Sequence, residues 1–86
     1  MIHINKIDFP GEYRIRFQFD DGASKVVNIL PYLKEAEITR PLKDPAYFRL
    51  VKIYENGRGI YWPNDFDFCP DFLRWYAVED KELTTS

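Results

Sequence analysis

The sequence predicts a small α+β domain, and three local patterns carry this prediction. Residues 12–19 alternate between polar and apolar side chains, as a half-buried β-strand does. Asn56-Gly57 is the strongest short signal for a hairpin turn, because both residues accept a positive φ angle. Prolines introduce several short segments of helical composition. We therefore predict an antiparallel sheet of about five strands, built from two hairpins and a first strand over residues 2–8, with short helices covering one side.

The first hairpin admits two registers around Asp20-Asp21-Gly22. A two-residue turn would set Ile15 against Asn28, whereas a three-residue loop with a left-handed Gly22 sets Ile15 against Val27. A slip of one residue exchanges the two faces of a strand. We predict the three-residue loop, because only that register keeps Asn28 outside.

The second hairpin follows from a two-residue turn at Asn56-Gly57. That turn pairs Glu55 with Arg58 at the tip and Ile53 with Ile60 farther down. One face of the hairpin is therefore apolar, and each cross-strand pair contributes roughly 0.2–1 kcal/mol.

Helical segments are expected to be short. Pro31 opens a turn that runs to Ala36, and Asp44-Pro45 has the composition of an N-cap followed by the first residue of a helix. A C-terminal helix is predicted near residues 70–77, about two turns long and too short to be stable unless it packs on the sheet. Its large apolar residues are expected to crowd one broad side; they are Phe72, Leu73, Trp75 and Tyr76.

Length and charge exclude several classes of protein. With 86 residues, the chain forms one domain, assigned to residues 1–78, followed by a polar tail over residues 79–86 that is expected to fray. No apolar run is long enough to cross a membrane. The single cysteine and the absence of a signal-peptide pattern favour the cytoplasm. The net charge of −2, concentrated in an acidic C-terminal third, makes nucleic acid a poor partner and favours a protein with a basic surface.

Three carboxylates form the most suggestive cluster for chemistry. Asp65, Asp67 and Asp71 have oxygen ligands that Ca²⁺ or Mg²⁺ would accept, but the glycine and glutamate of an EF-hand loop are missing. Cys69 and His3 have no catalytic partner in the sequence. We therefore predict no metal, no cofactor and no enzymatic activity, and keep a metal-dependent enzyme built on these aspartates as the least favoured alternative.

Binding residues are predicted from composition. Fifteen aromatic residues are many for this length, and an exposed subset could anchor a partner. The residues predicted to bind a protein are Tyr61, Asp65, Asp67, Asp71 and Trp75. An alternative function is an accessory domain for nucleic acid, in which outward-facing Arg14, Arg16 and Lys52 would contact phosphates beside aromatic rings.

Four motifs resemble the DUF2442 family in their order and spacing, over roughly residues 4–77. They are Phe17-x-Phe19-Asp20-Asp21-Gly22, Pro41-Leu42-x-Asp44-Pro45-x-x-Phe48, Ile60-Tyr61-Trp62-Pro63-Asn64, and Asp67 with Pro70-Asp71-x-Leu73. The resemblance implies an α+β fold without assigned catalytic residues. The family commonly has glycine after Trp-Pro-Asn, where this chain has Asp65, so we expect a local change in that turn.

The resemblance also implies a class of partner. Some relatives carry a helix-turn-helix after this domain, and only nine residues follow Ala77 here. Other relatives are encoded beside small DUF4160 proteins and look like antitoxins of toxin–antitoxin pairs. We therefore expect a small protein-interaction module, antitoxin-like, whose partner is another small protein such as a DUF4160-like one. A homodimer is the other expected assembly, because a small sheet leaves open edges.

Overall fold

The computed structural model describes residues 2–80, and in that range the strands form two separate antiparallel sheets. The mixed α+β class is confirmed, but the expected single sheet of about five strands is wrong. Each sheet joins only strands that follow one another in the chain. Sheet A, in the order β1-β2-β3, contains β1 (Ile4–Gly11), β2 (Arg14–Phe19) and β3 (Ser24–Asn28); sheet B, in the order β4-β5-β6, contains β4 (Lys52–Ile53), β5 (Ile60–Tyr61) and β6 (Asp67–Phe68).

The register of the first hairpin is the predicted one. Ile15 lies opposite Val27, and Gly22 closes a three-residue loop with a φ angle of 88°. Phe17 lies opposite Lys25, as this register requires, and the Lys25 ammonium reaches the backbone carbonyl of Arg74 at 3.2 Å. The alternation of polar and apolar residues decided this pairing, because the other register would have turned Asn28 of β3 inward and Val27 outward.

The register of the second hairpin is also correct, but its turn is wider than predicted. Ile53 lies opposite Ile60, while a 3₁₀ turn over Glu55–Gly57 widens the connection beyond the Asn56-Gly57 pair. The amide of Tyr54 donates to the carbonyl of Gly59 at 2.9 Å and closes this loop. Within residues 2–80, no ion pair joins Glu55 to Arg58, and both are exposed. The predicted charge pair at the tip is therefore wrong, because the wider loop separates the two side chains from the ladder.

Four of the helical segments lie between the strands. The Asp44 carboxylate accepts a hydrogen bond from the Ala46 amide at 3.1 Å, so the predicted N-cap is confirmed. The only α-helix of the described chain follows it and is a single turn. The segments are α1 (Pro45–Phe48) and the 3₁₀ turns Leu30–Tyr32, Arg40–Lys43 and Glu55–Gly57.

The C-terminal helix is a π-helical turn over Phe72–Tyr76, which changes the face that it buries. The Ala77 amide donates to the Phe72 carbonyl at 2.8 Å, five residues earlier. The extra residue in the turn brings Ala77 inward, with 5% of its surface exposed, and moves Tyr76 outward, where it is 76% exposed. The expectation that Trp75 and Tyr76 pack on the sheet is therefore wrong.

The core lies between the sheets and the helical turns. Trp62 is fully buried, and its indole N–H donates to the carbonyl of Phe48 at 2.9 Å, at the end of α1. Phe48, Phe66 and Phe68 pack around the indole with ring centroids 5.6–6.1 Å away. Many of the aromatic residues therefore belong to the core. The largest fully buried side chains are Trp62, Phe17, Phe48, Ile15, Ile29, Leu42, Ile60, Leu73 and Val27.

The first two residues of the predicted tail are attached to sheet A. Glu79 forms an isolated antiparallel bridge with Val27, and the Asp80 amide donates to the carbonyl of Val26. The rest of the predicted tail, residues 81–86, lies outside the described residues. Between residues 2 and 80, every helical segment is too short to cross a membrane.

Candidate protein-binding surface

The outer face of sheet B carries a row of side chains from three neighbouring strands. Lys52 on β4 lies opposite Tyr61 on β5, and Tyr61 lies opposite Asp67 on β6. Directly opposed residues in an antiparallel sheet point to the same face. The strand period thus places these three side chains together, on the side away from buried Ile60.

Tyr54 completes this face, two residues after Lys52. Its ring stacks on Tyr61 with centroids 4.5 Å apart and an interplanar angle of 26°. Its hydroxyl donates a hydrogen bond of 2.8 Å to the carboxylate of Asp67. That hydrogen bond raises the pKa of the Tyr54 hydroxyl, and the negative charges of Asp67 and Asp65 add to the effect. Two stacked rings and two carboxylates therefore share one surface, which we call the acidic–aromatic surface: Tyr54, Tyr61, Asp65 and Asp67.

The carboxylates of this surface have no cationic partner in the described part of the chain. No Lys, Arg or His forms an ion pair with Asp65 or Asp67 there. By contrast, the carboxylates of Asp8, Asp21 and Asp80 each pair with an arginine. The acidic–aromatic surface therefore presents two carboxylates that form no ion pair within residues 2–80, and Lys52 is a cation on the same face of sheet B.

The turn that presents Asp65 has a defined internal structure. The Asp65 amide donates to the carbonyl of Trp62 at 2.8 Å, and Asp65 takes a φ angle of 71°, in the left-handed region. Asn64 donates through its side-chain amide to the carbonyl of Ile38 at 2.7 Å, and its side-chain oxygen accepts from the amide of Phe66 at 3.3 Å. An aspartate thus holds a backbone conformation that glycine adopts without strain.

The three aspartates of the predicted cluster are not gathered into one group. No group of three metal-ligating side chains comes together anywhere in residues 2–80. Asp67 is bound to Tyr54, Asp65 lies in the turn before β6, and Asp71 is exposed just before the π-helical turn. Cys69 is exposed, and His3 is bound to Asp20 in another part of the fold, with Nδ1 3.0 Å from the carboxylate.

Trp75 belongs to a different surface, beside the tip of the first hairpin. The Arg74 guanidinium lies over its ring at 4.1 Å, and the same guanidinium donates to the Asp21 carboxylate at 3.0 Å. Trp75 is 59% exposed, and this stack limits its freedom to reorient. Tyr61 and Trp75, predicted to bind the same partner, are therefore carried by separate elements.

Of the three residues predicted to bind nucleic acid, two already form ion pairs and the third lies in the other sheet. The guanidinium of Arg14 pairs with Asp80, and that of Arg16 pairs with Asp8 at 2.8 Å. Lys52 lies in sheet B, whereas the two arginines lie in sheet A. The structure thus gives no continuous basic patch that includes these three side chains.

Sequence reasoning left Tyr54 out of the predicted binding residues. The signal was present, because Tyr54 lies two residues from Lys52 and therefore points to the same side as Lys52 and Tyr61. The contact of Tyr54 with Asp67 could not be anticipated, because β6 is only two residues long and has no alternation from which to predict a strand.

Comparison with known proteins identifies the family. A search of curated proteins and a search of solved structures each found no match. The family described as "Protein of unknown function (DUF2442)" matches residues 4–79, which includes strands β1 to β6 and the π-helical turn. This chain therefore belongs to the DUF2442 family.

Proposed function

We propose that this chain is a non-enzymatic protein-interaction module that binds basic side chains of a protein partner through its acidic–aromatic surface. The observation that carries the proposal is the presence of two stacked tyrosines beside two carboxylates without a cationic partner. The faces of aromatic rings attract cations, and arginine in particular combines stacking with bidentate hydrogen bonds to carboxylates.

The geometry prepares this surface for a cation. Tyr54 is held by its hydrogen bond to Asp67 and by its stack on Tyr61, so little side-chain entropy would be lost on binding. A guanidinium or ammonium bound there would pair with the carboxylates of Asp65 and Asp67 beside the tyrosine rings. The acidic C-terminal third of the chain would also steer a basic partner towards the protein.

A finer proposal concerns the partner. The resemblance to antitoxin-like relatives supports a role as the antitoxin-like member of a bacterial pair, with a small DUF4160-like protein as the partner in the cytoplasm. A second copy of this chain has less support, since Pro10 and two irregularities interrupt the outer strand β1, and Glu79 lies along β3.

The test is co-expression of the tagged chain with the small protein encoded next to its gene in the host. We expect the two proteins to co-purify in a complex that weakens with salt. The double substitution Asp65→Asn and Asp67→Asn should reduce affinity at least tenfold, and Tyr61→Ala should do the same. The matched control is Glu37→Gln, which removes one exposed acid elsewhere and should leave affinity unchanged.

Two results would contradict the proposal. If no neighbour-encoded or host protein forms a complex with the wild-type chain, the interaction role fails. If a complex forms and the Asp65/Asp67 double variant binds as tightly as wild type, the acidic–aromatic surface is not the site.

A further inference from the structure

The outer edge of β3 is occupied by the chain's own C-terminal segment, residues 78–80, which we call the edge strap. Glu79 pairs with Val27 in an antiparallel bridge, and the Asp80 amide donates to the Val26 carbonyl at 2.7 Å. The strap therefore extends sheet A beyond β3 by a single bridge. Its presence shows that the β3 edge accepts an extended segment.

Polar contacts, rather than apolar burial, hold the edge strap in place. The Asp80 carboxylate pairs with the Arg14 guanidinium, and their side chains are 9% and 24% exposed. The Val78 amide donates to the Tyr32 hydroxyl at 3.0 Å, while the Val78 side chain itself is exposed. Opening the strap therefore costs mainly the Arg14–Asp80 ion pair and two backbone-donated hydrogen bonds, and a competing strand that carries a carboxylate would restore these contacts.

The surroundings of the strap favour an acidic segment. Arg14 lies at one side of the edge, and an open cleft beside the strap is lined by Lys25, by Arg74, whose guanidinium also pairs with Asp21, and by Glu79. Burial and the nearby Arg74 guanidinium lower the pKa of Lys25, and the Glu79 carboxylate opposes this shift. Asp80 shows which chemistry Arg14 accepts, namely a carboxylate on an extended backbone.

We propose that the β3 edge is a peptide-binding edge, which an extended acidic segment of another protein occupies by displacing the edge strap. Backbone hydrogen bonds to β3 would supply affinity, and a carboxylate in the position of Asp80 would supply specificity through Arg14. This proposal is independent of the acidic–aromatic surface, which lies on sheet B and has the opposite charge.

The experiment uses the full 86-residue chain and a defined probe. The probe is the N-acetylated, C-amidated peptide Ala-Val-Glu-Asp-Lys, which repeats residues 77–81. Amide hydrogen exchange at residues 78 and 80 reports whether the strap is closed, since both amides are hydrogen-bonded in the closed form. Asp80→Asn should accelerate this exchange about tenfold, because it removes a partly buried ion pair. Asp71→Asn, at an exposed position, is the matched control.

The peptide should then bind the opened edge. In the Asp80→Asn protein we expect chemical-shift changes at the amides of Val26 and Val27 that saturate at millimolar peptide. The peptide with Asn in place of Asp should bind at least fivefold more weakly, and Arg14→Gln combined with Asp80→Asn should abolish the difference between the two peptides.

Three results would overturn the proposal. The first is unchanged exchange at residues 78 and 80 in the Asp80→Asn protein. The second is an opened strap without shift changes on β3, or equal binding of both peptides. The third is self-association of the Asp80→Asn protein without peptide binding, which would make a second copy the occupant of the edge.

Discussion

The two tryptophans offer a matched test of the packing argument, because Trp62 is fully buried and Trp75 is 59% exposed. Trp62→Phe removes the N–H that satisfies the Phe48 carbonyl at 2.9 Å and leaves a gap among the surrounding rings. A longer bond of 3.4 Å from the Val51 amide to the same carbonyl softens the first loss. We therefore take the low end, about 1 kcal/mol, for the unmade hydrogen bond, and add about 1–2 kcal/mol for the smaller ring and the cavity it leaves.

The expected total is a loss of about 2–3 kcal/mol in the free energy of unfolding. The total free energy of unfolding of a domain of this length is roughly 4–13 kcal/mol, so this loss is a large fraction of it. Each kcal/mol lowers the Tm by about 4–8 °C at this size, which gives a drop of roughly 8–24 °C.

The assay is urea unfolding at equilibrium, supported by calorimetry, on Trp62→Phe, Trp75→Phe and wild type. Trp75→Phe keeps a ring beneath the Arg74 guanidinium and should change stability by less than about 0.5 kcal/mol. Its remaining tryptophan, Trp62, should also show the blue-shifted emission of a buried indole. A loss below about 1 kcal/mol for Trp62→Phe, or equal losses for both variants, would refute the reasoning.

Three further predictions concern the turns. Gly57→Ala should lower the free energy of unfolding by about 3 kcal/mol or more, because the new Cβ would lie 2.6 Å from a backbone oxygen of β1 at a φ of 71°. Gly22→Ala, where no atom other than those of its chain neighbours lies within 4 Å of the new Cβ, should lower it by about 1 kcal/mol. Urea unfolding measures both losses, and equal losses would contradict this. Asp65→Gly should raise stability by up to about 1 kcal/mol, since it relieves a left-handed aspartate, and a loss of stability would show that the side chain matters more than the strain. Hydrogen bonds from the backbone and ring of His3 lower the pKa of the Asp20 carboxyl. The stability that Asp20 contributes is therefore present above its unfolded-state pKa and is lost as the pH falls through its folded-state pKa. Asp20→Asn should flatten the acid side of the plot of unfolding free energy against pH, and an unchanged slope would rule this out.

Local patterns predicted the parts of the fold that depend on neighbours in the chain. The pairing of Ile15 with Val27 followed from alternation, and the helix start at Asp44-Pro45 followed from the chemistry of an N-cap. The C-terminal helix was predicted at the right place, but its π geometry and the exposure of Trp75 and Tyr76 were not, because the sequence of Phe72–Tyr76 is compatible with α or π geometry. Only packing against the core selects the turn that buries Ala77 and exposes Tyr76.

The candidate surface was predicted in part. Tyr61, Asp65 and Asp67 lie on one surface, and Lys52 shares the outer face of sheet B with Tyr61. Trp75 could not be assigned to a surface from sequence, since its position depends on the contact between Arg74 and Asp21, which are 53 residues apart. The same holds for Arg14, whose partner Asp80 is 66 residues away.

By itself, the sequence determined the α+β class, both hairpin registers, the N-cap of α1 and the family, because each of these depends on contacts or motifs that are local in the chain. The tertiary structure alone decided that the strands divide into two sheets, that Asp67 joins Tyr54, and that residues 78–80 lie along β3. The last two contacts join residues that are not neighbours in the chain, and the two sheets stay separate because, within residues 2–80, no strand of one pairs with a strand of the other; both outcomes depend on the packing of the whole core. The proposed binding surfaces depend on these distant contacts, so they emerge from the fold rather than from any single segment.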